Sequence, residues 1–305
     1  DGNKVAFFNM DSTIHIHNLL SDKHLVITDD SLRILRRGNF YAPSTSYFSP
    51  KNKLVDVVLY STGNKLYHTV YDAVSGKKLL NIVKEPGVRQ SFSPDEKTFI
   101  ISEETSVEVY DLYSGKKAHT LSFPADASLD RDFVFSKDGK HLIVHYFAND
   151  HNSIKLYNTD TWEELKECTV SSADSIYYSF SNDSRHLGIK CGNTPVTIYD
   201  LTNMSKVDIA GVDKSTFSSK RVIINKNGSA LVIYDFITGG HVLISAPKQE
   251  RTKGGAKVGF VSAQLSPDGQ RLITCGGQKN GWDVFGVEAY PLTIWDANNG
   301  NRITT

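Results

Sequence analysis

Short alternating apolar segments, each closing in a ring-bearing residue followed by Asp or Asn, recur along the whole chain. Apolar and polar positions alternate within them, which is typical of β-strands that bury one face. The copies end at Asn18, Asp72, Asp111, Asn158, Asp200, Asp235 and Asp296. Their spacing scatters around the roughly 40 to 45 residues of a four-stranded propeller blade. The pattern therefore predicts an all-β chain made of seven copies of one unit.

A second motif precedes most of these strands and predicts a tight turn. It joins Phe or Leu to Ser-Pro-Lys, Ser-Pro-Asp, Ser-Lys-Asp-Gly or Ser-Asn-Asp, residues that fix φ, cap their own backbone or tolerate positive φ. A Gly four residues after several of the Asp residues predicts another turn. Each repeat is thus predicted to form antiparallel strands a, b, c and d. Strand c is centred near His15, Thr69, Glu108, Lys155, Thr197, Val232 and Thr293.

These motifs resemble those of the WD40-repeat β-propeller family over nearly the whole chain. Trp295 fills the family's tryptophan position, and tyrosines fill it in most other repeats: Tyr71, Tyr110, Tyr157, Tyr199 and Tyr234. The family's Gly-His dipeptide is missing where expected, and its turn aspartate before strand c is matched only at Asp11. The resemblance implies a seven-bladed propeller, and a propeller of this kind commonly serves as a sensor or assembly platform. We expect the tyrosine rings to be buried and their hydroxyls to find partners.

The first repeat opens at strand b, because Asp1-Gly2-Asn3-Lys4 reads as the end of a tight turn. We therefore expect the first blade to lack strand a. An unpaired edge would favour aggregation, so we interpret residues 1–305 as a single propeller domain that is part of a longer polypeptide.

Net charge narrows the class of partner, and cysteine content indicates the compartment. The 34 basic and 34 acidic side chains cancel, so no overall field attracts nucleic acid or a membrane. No apolar run reaches the roughly 18 residues of a membrane-spanning helix. Cys168, Cys191 and Cys275 lie in different repeats, which favours three free thiols and a reducing compartment, the cytoplasm or the nucleus.

Enzyme and metal motifs are not found in the sequence. It lacks a Gly-x-Ser-x-Gly elbow, a His-Glu-x-x-His pair and a phosphate-binding loop. His15 and His17 are two residues apart on one strand and so share a face, a two-ligand geometry. No third ligand can be assigned from sequence, and His17 also occupies the ring position. We predict no catalytic residue, no cofactor and no metal.

Three long connections suggest a binding surface. They run from Thr28 to Ser44, from Ala246 to Val258 and from Gly276 to Pro291, and propeller topology places all three on one face. Arginine beside exposed aromatic residues is typical of interface hot spots. The predicted surface consists of Arg33, Arg36, Arg37, Lys248, Arg251, Lys253, Trp282, Phe285 and Tyr290.

The sequence therefore indicates a non-enzymatic interaction scaffold or sensor within a larger intracellular protein. Its expected partner is a protein, an acidic or phosphorylated peptide, or another domain of the same polypeptide. Two alternatives stay open. One is a propeller that acts as a lactonase-like hydrolase or gates a peptidase, and the other is an RNA-associated assembly scaffold.

Overall fold

The computed structural model describes most of the chain and divides it into two compact units. The units are Asp1–Glu167 and Cys168–Thr305, and the prediction that both belong to one propeller domain stays a prediction. The described residues are 3–9, 13–29, 45–61, 64–209, 215–217, 221–226, 230–235, 238, 240–245, 258–266, 268–278 and 292–304.

The first unit contains three sheets and most of a fourth. Neighbouring strands are antiparallel and follow one another along the chain. The sheets are β1 (Lys4–Phe8), β2 (Thr13–Asn18) and β3 (His24–Thr28); then β4 (Thr45–Phe48), β5 (Leu54–Ser61), β6 (Lys65–Asp72) and β7 (Lys78–Lys84); then β8 (Gln90–Phe92), β9 (Thr98–Ser102), β10 (Ser106–Asp111) and β11 (Lys116–Ser122); then β12 (Ser128–Phe135), β13 (His141–Phe147), β14 (His151–Asn158) and β15 (Glu164–Ser171).

The second unit repeats the same arrangement and begins within β15. Each of its three complete sheets has four antiparallel strands in sequence order. These are β16 (Ile176–Phe180), β17 (His186–Cys191), β18 (Val196–Asp200) and β19 (Lys206–Ile209); then β20 (Ser215–Phe217), β21 (Arg221–Lys226), β22 (Ala230–Asp235) and β23 (His241–Ser245); then β24 (Val258–Leu265), β25 (Arg271–Gln278), β26 (Leu292–Asp296) and β27 (Arg302–Thr304).

The predicted fold class is confirmed. The described residues form strands and turns without a helix, in seven consecutive antiparallel sheets, the number and strand order of a seven-bladed β-propeller. The first sheet has three strands, as expected for a blade without strand a. All seven predicted centres of strand c lie on the strands at that position of the repeat, which are β2, β6, β10, β14, β18, β22 and β26. No helix in the described ranges is available to cross a membrane.

The tight turns between strands a and b follow from the Ser-x-Asp spacing. In the third sheet, the Ser93 hydroxyl donates to Asp95 at 2.6 Å and accepts the Thr98 amide at 3.0 Å. The sheets that follow repeat this geometry at Ser136 and Ser181. The serine hydroxyls thus accept hydrogen bonds from amide groups at the chain reversal, where no neighbouring strand supplies an acceptor.

The second sheet lacks the turn carboxylate, and a residue of the neighbouring sheet supplies it. Lys51 stands where the turns of the next three sheets have Asp95, Asp138 and Asp183. Glu96, from the β8–β9 turn, accepts hydrogen bonds from the Ser49 hydroxyl and from the Lys51 amide, the latter at 2.8 Å. Adjacent carboxylates of the β8–β9 turn therefore hold two turns. Asp95 holds its own turn, and Glu96 holds the turn of the second sheet.

The Asp or Asn at the end of strand c caps the following turn. Oδ1 of Asp72 accepts the amides of Val74 and Ser75 at 2.9 and 2.7 Å. The glycine that closes such a turn is required at Gly115, whose φ is 67° and where a Cβ would lie 2.6 Å from the carbonyl oxygen of Leu79. A side chain at that position would meet both a left-handed backbone and a fixed oxygen atom.

The tyrosines in the tryptophan position are buried in the first unit and half-buried in the second. Tyr71, Tyr110 and Tyr157 are buried, whereas Tyr199 and Tyr234 are intermediate. The predicted burial is thus confirmed for three of the five rings. The Tyr71 hydroxyl donates to Asp29 at 3.1 Å, and burial raises its pKa. Trp295, which keeps the family residue, donates to Thr274 at 2.8 Å.

The expectation of three free thiols is wrong. A disulfide joins Cys168 on β15 to Cys191 at the end of β17, with Cα atoms 6.8 Å apart; Cys275 forms no disulfide. Cysteine spacing along the sequence could not show this pairing, because it arises where strands of two successive sheets approach. The cysteine argument for a reducing compartment is weakened accordingly, and the intracellular location stays a prediction.

We expect Tyr71→Ala to cost about 3 to 5 kcal/mol of folding free energy, as large core aromatics do. Tyr199→Ala should cost less, because that ring is half-exposed. Denaturant midpoints of the two variants measure the difference. Equal midpoints would contradict the view that burial of this ring position stabilises the sheets.

We expect Glu96→Ala to destabilise the protein by about 1 to 3 kcal/mol, because it removes the acceptor of hydroxyl and amide groups in the Ser49 turn. Glu104→Ala is the matched control, since Glu104 is exposed and accepts no hydrogen bond in the described part. The thermal midpoint is the measurement. If the two variants melt together, the shared carboxylate has no structural role.

Candidate functional site

The predicted binding surface lies outside the described residues. This holds for all nine of its members: Arg33, Arg36, Arg37, Lys248, Arg251, Lys253, Trp282, Phe285 and Tyr290. Their grouping on one face therefore stays a prediction.

A cleft forms at one of the described connections between strand d and the next strand a. It has a volume of about 450 Å³ and is lined by Tyr47 on β4, by Gly87, Val88 and Arg89 between β7 and β8, and by Gln90 at the start of β8. Two of the three long connections of the predicted binding surface, residues 28–44 and 246–258, are of this type. The structure thus offers a concave site on the same type of connection, built from other residues.

The backbone of Arg89 is held firmly while its side chain is exposed. The Arg89 amide donates to the Ser102 hydroxyl at 2.8 Å, and its carbonyl accepts the Ser102 amide at 2.8 Å. Among the described residues no carboxylate forms an ion pair with the Arg89 guanidinium, whereas Arg185 pairs with Asp200. Arg89 therefore presents an exposed cation on a fixed backbone.

Tyr47 supplies an aromatic wall to the cleft. The residue is 46% exposed although it lies in the middle of a strand. In the ladder it stands opposite Asp56 of β5, and Val88 beside it packs against the hydrophobic core between the second and third sheets. The cleft thus combines an exposed ring with a backbone anchored in the core.

A network of ion pairs lies next to this connection. Lys84 is the last residue of β7, and its ammonium contacts the carboxylates of both Glu103 and Glu108. Glu108 also accepts hydrogen bonds from the Tyr110 hydroxyl at 2.6 Å and from the Lys117 ammonium at 3.0 Å. Lys84 and Glu108 are only 10% and 13% exposed, so the network fixes the start of the cleft-forming connection.

The network shifts the pKa of Glu108 strongly. Burial by itself would raise this pKa, but hydrogen bonds from Lys84, Tyr110 and Lys117 lower it to about 2. Burial would lower the pKa of Lys84, and its bonds to the two glutamates raise it instead. Both groups are therefore charged throughout the neutral range.

A buried Asp56–His68 pair has no catalytic geometry. His68 Nδ1 and Asp56 Oδ2 lie 3.0 Å apart, and both side chains are at most 1% exposed. Burial raises the pKa of Asp56, and the hydrogen bond with His68 opposes that rise. No described hydroxyl or thiol group hydrogen-bonds to His68 Nε2, so a nucleophile is missing from this pair.

Three histidines of the first sheet form the one cluster of possible metal ligands that the described residues contain. His15 and His17 on β2 and His24 on β3 place one ring nitrogen each within 4.8 Å of the others. The sequence analysis missed His24, because only the β2–β3 register, which sets His17 opposite His24, brings it there. The short turn between the two strands was the signal that could have revealed this pairing.

Comparison with known proteins yields likenesses of fold only. No protein-family model matches the chain, and no curated protein sequence matches it. One similar solved structure is described as a eukaryotic initiation factor, with 16% identity, a TM-score of 0.44, and coverage of 99% of this chain and 84% of that chain. Another is the C-terminal WD40 domain of Sif2, with 12% identity, a TM-score of 0.44, and coverage of 98% and 79%.

We expect the stabilisation from Glu108 to disappear in acid. Its folded-state pKa lies below the unfolded value of roughly 4.3, so its contribution is present above that value and is lost as the pH falls towards about 2. Glu108→Gln should be less stable than wild type at pH 7, and the two should converge between these limits. Denaturant titrations at a series of pH values measure the gap. A gap that does not change with pH would contradict the assignment.

Proposed function

We propose that this protein is a non-enzymatic interaction module that binds an acidic segment of a partner protein in the cleft beside Tyr47 and Arg89. The observation that carries the proposal is the joint exposure of an aromatic ring and an arginine without a carboxylate partner in the described part. Tyrosine and arginine are the residues most often found at interface hot spots.

The chemistry of the cleft favours carboxylate or phosphate groups. Arginine binds either group through two parallel hydrogen bonds, which are stronger than bonds between neutral groups. The two bonds to Ser102 fix the backbone of Arg89, so the site needs no ordering of the main chain at this residue on binding.

The surface predicted from sequence extends the proposal. Arg36 and Arg251 carry the same charge as Arg89 and, like it, stand in the sequence between a strand d and the next strand a. An acidic partner long enough to reach them would bind more tightly through additional charge-assisted contacts. Both the intracellular location and the place within a larger polypeptide are parts of this proposal.

The proposal predicts that the purified chain enriches acidic sequences from a displayed random-peptide library. Tyr47→Ala and Arg89→Ala should each weaken binding of an enriched peptide by about 2 kcal/mol, or roughly thirtyfold. Fluorescence anisotropy with the labelled peptide gives the dissociation constants. Raising the salt concentration should weaken wild type more than Arg89→Ala, because the variant has lost the screened contact.

Two exposed residues provide matched controls. Tyr113, in the β10–β11 turn, is 99% exposed, and Arg302 on β27 is also exposed. Tyr113→Ala and Arg302→Ala should bind the enriched peptide as wild type does. Equal binding by all four variants, or enrichment without acidic residues, would refute the proposed use of the cleft.

A further inference from the structure

We propose that His15, His17 and His24 bind one divalent transition-metal ion of the class that prefers imidazole ligands, such as Zn²⁺. This inference is independent of the cleft and of the proposed function. Imidazole nitrogen is a preferred ligand of Zn²⁺, Cu²⁺ and Ni²⁺, and three histidines with one further position is an established arrangement for Zn²⁺.

The strand register places the three rings together. Residues two apart on a strand share a face, which unites His15 and His17. The β2–β3 ladder sets His24 directly opposite His17. The opposite face of β2 carries Ile14 and Ile16, which are buried in the core of the first unit. The backbone that bears two of the ligands is therefore anchored from behind.

The nitrogen positions are close to those that a metal needs. Two ligands at about 2.05 Å in a tetrahedral site lie roughly 3.3 Å apart. His15 Nδ1 and His24 Nε2 are 2.8 Å apart, and one nitrogen of each of the three rings lies within 4.8 Å of the others. The His24 ring stacks on the rings of His15 and His17, with centroids 4.9 and 4.1 Å apart, so a shared ion requires this ring to turn. Its side chain is exposed, which leaves room for that turn.

Neighbouring groups orient the first ligand. Thr13 Oγ1 lies 2.8 Å from His15 Nε2. When that Nε2–H donates to the hydroxyl, the lone pair of Nδ1 is directed at His24. A hydrogen bond at the outer nitrogen fixes the tautomer and orientation of a ligating histidine. Thr13 is therefore a positioning residue rather than a ligand.

Three apolar side chains flank the rings. Phe7 stacks on His15 with ring centroids 5.1 Å apart, and Val5 and Val26 lie beside the histidines on the same face, by register with His17 and His15. Each of the three is 45% exposed, so the site is open to an ion from solvent. In the described part no other group of His, Cys, Asp and Glu offers three ligand atoms at this spacing.

The test uses the full chain without a histidine tag, after treatment with a chelator. Titration with Zn²⁺ against a competing dye should show one site per chain. His24→Gln and His17→Gln should each weaken that site by at least about tenfold, and Thr13→Val should weaken it less. Co²⁺ should give the intense visible absorption of a four-coordinate site in wild type, and a weaker one in His24→Gln.

His119→Gln is the matched control, because His119 is an exposed histidine on β11 outside the cluster. It should bind Zn²⁺ as wild type does. Circular dichroism checks that each variant keeps its strand content. The proposal is overturned if wild type shows no saturable site, or if His24→Gln and His17→Gln bind as wild type does, since the ion would then be held elsewhere.

Discussion

At the end of strand c, a ring and a turn-capping carboxylate occupy adjacent positions, and this pair links packing to chain reversal. In the second sheet the Tyr71 ring is buried in the core that the first two sheets share, while Asp72 holds the amides of the next turn. In the third sheet Tyr110 and Asp111 repeat the arrangement. A shift of one residue would expose the ring and misplace the carboxylate together. The pair therefore fixes the register of each sheet, and every other contact depends on that register.

Most of the fold could be predicted because its determinants are local. Alternation of apolar and polar residues predicts the strands. The Ser-x-Asp motif, and an Asp with a Gly four residues after it, predict the turns. Replacement of tryptophan by tyrosine does not disturb this, because the buried ring is retained and its hydroxyl finds a carboxylate, as Tyr71 finds Asp29. The Ser49 turn shows where local reasoning ends. Its missing carboxylate comes from Glu96, 47 residues further along the chain.

The candidate sites were harder to predict because they depend on pairing between strands. Cys168 and Cys191 form a disulfide only because β15 and the end of β17 approach each other. His24 joins His15 and His17 through a ladder whose register depends on an unremarkable turn. Tyr47 and Arg89 lie in sequence segments without an unusual composition, and their cleft arises from the path of one short connection. A long loop can be recognised in a sequence, whereas a cleft at a short connection cannot.

The polar clusters of the first unit differ in how fully their groups are partnered, and that difference separates structural roles from functional ones. In the Lys84 network each charge meets an opposite charge, so the network is complete within the fold. The histidine cluster is different. Among the described residues its polar contacts join His15 to His24 and to Thr13, and no opposite charge meets the rings. Folding alone needs only an apolar or β-branched ladder on such a face. A cation that accepts all three lone pairs supplies the partner that this cluster lacks, and it would tie β2 to β3.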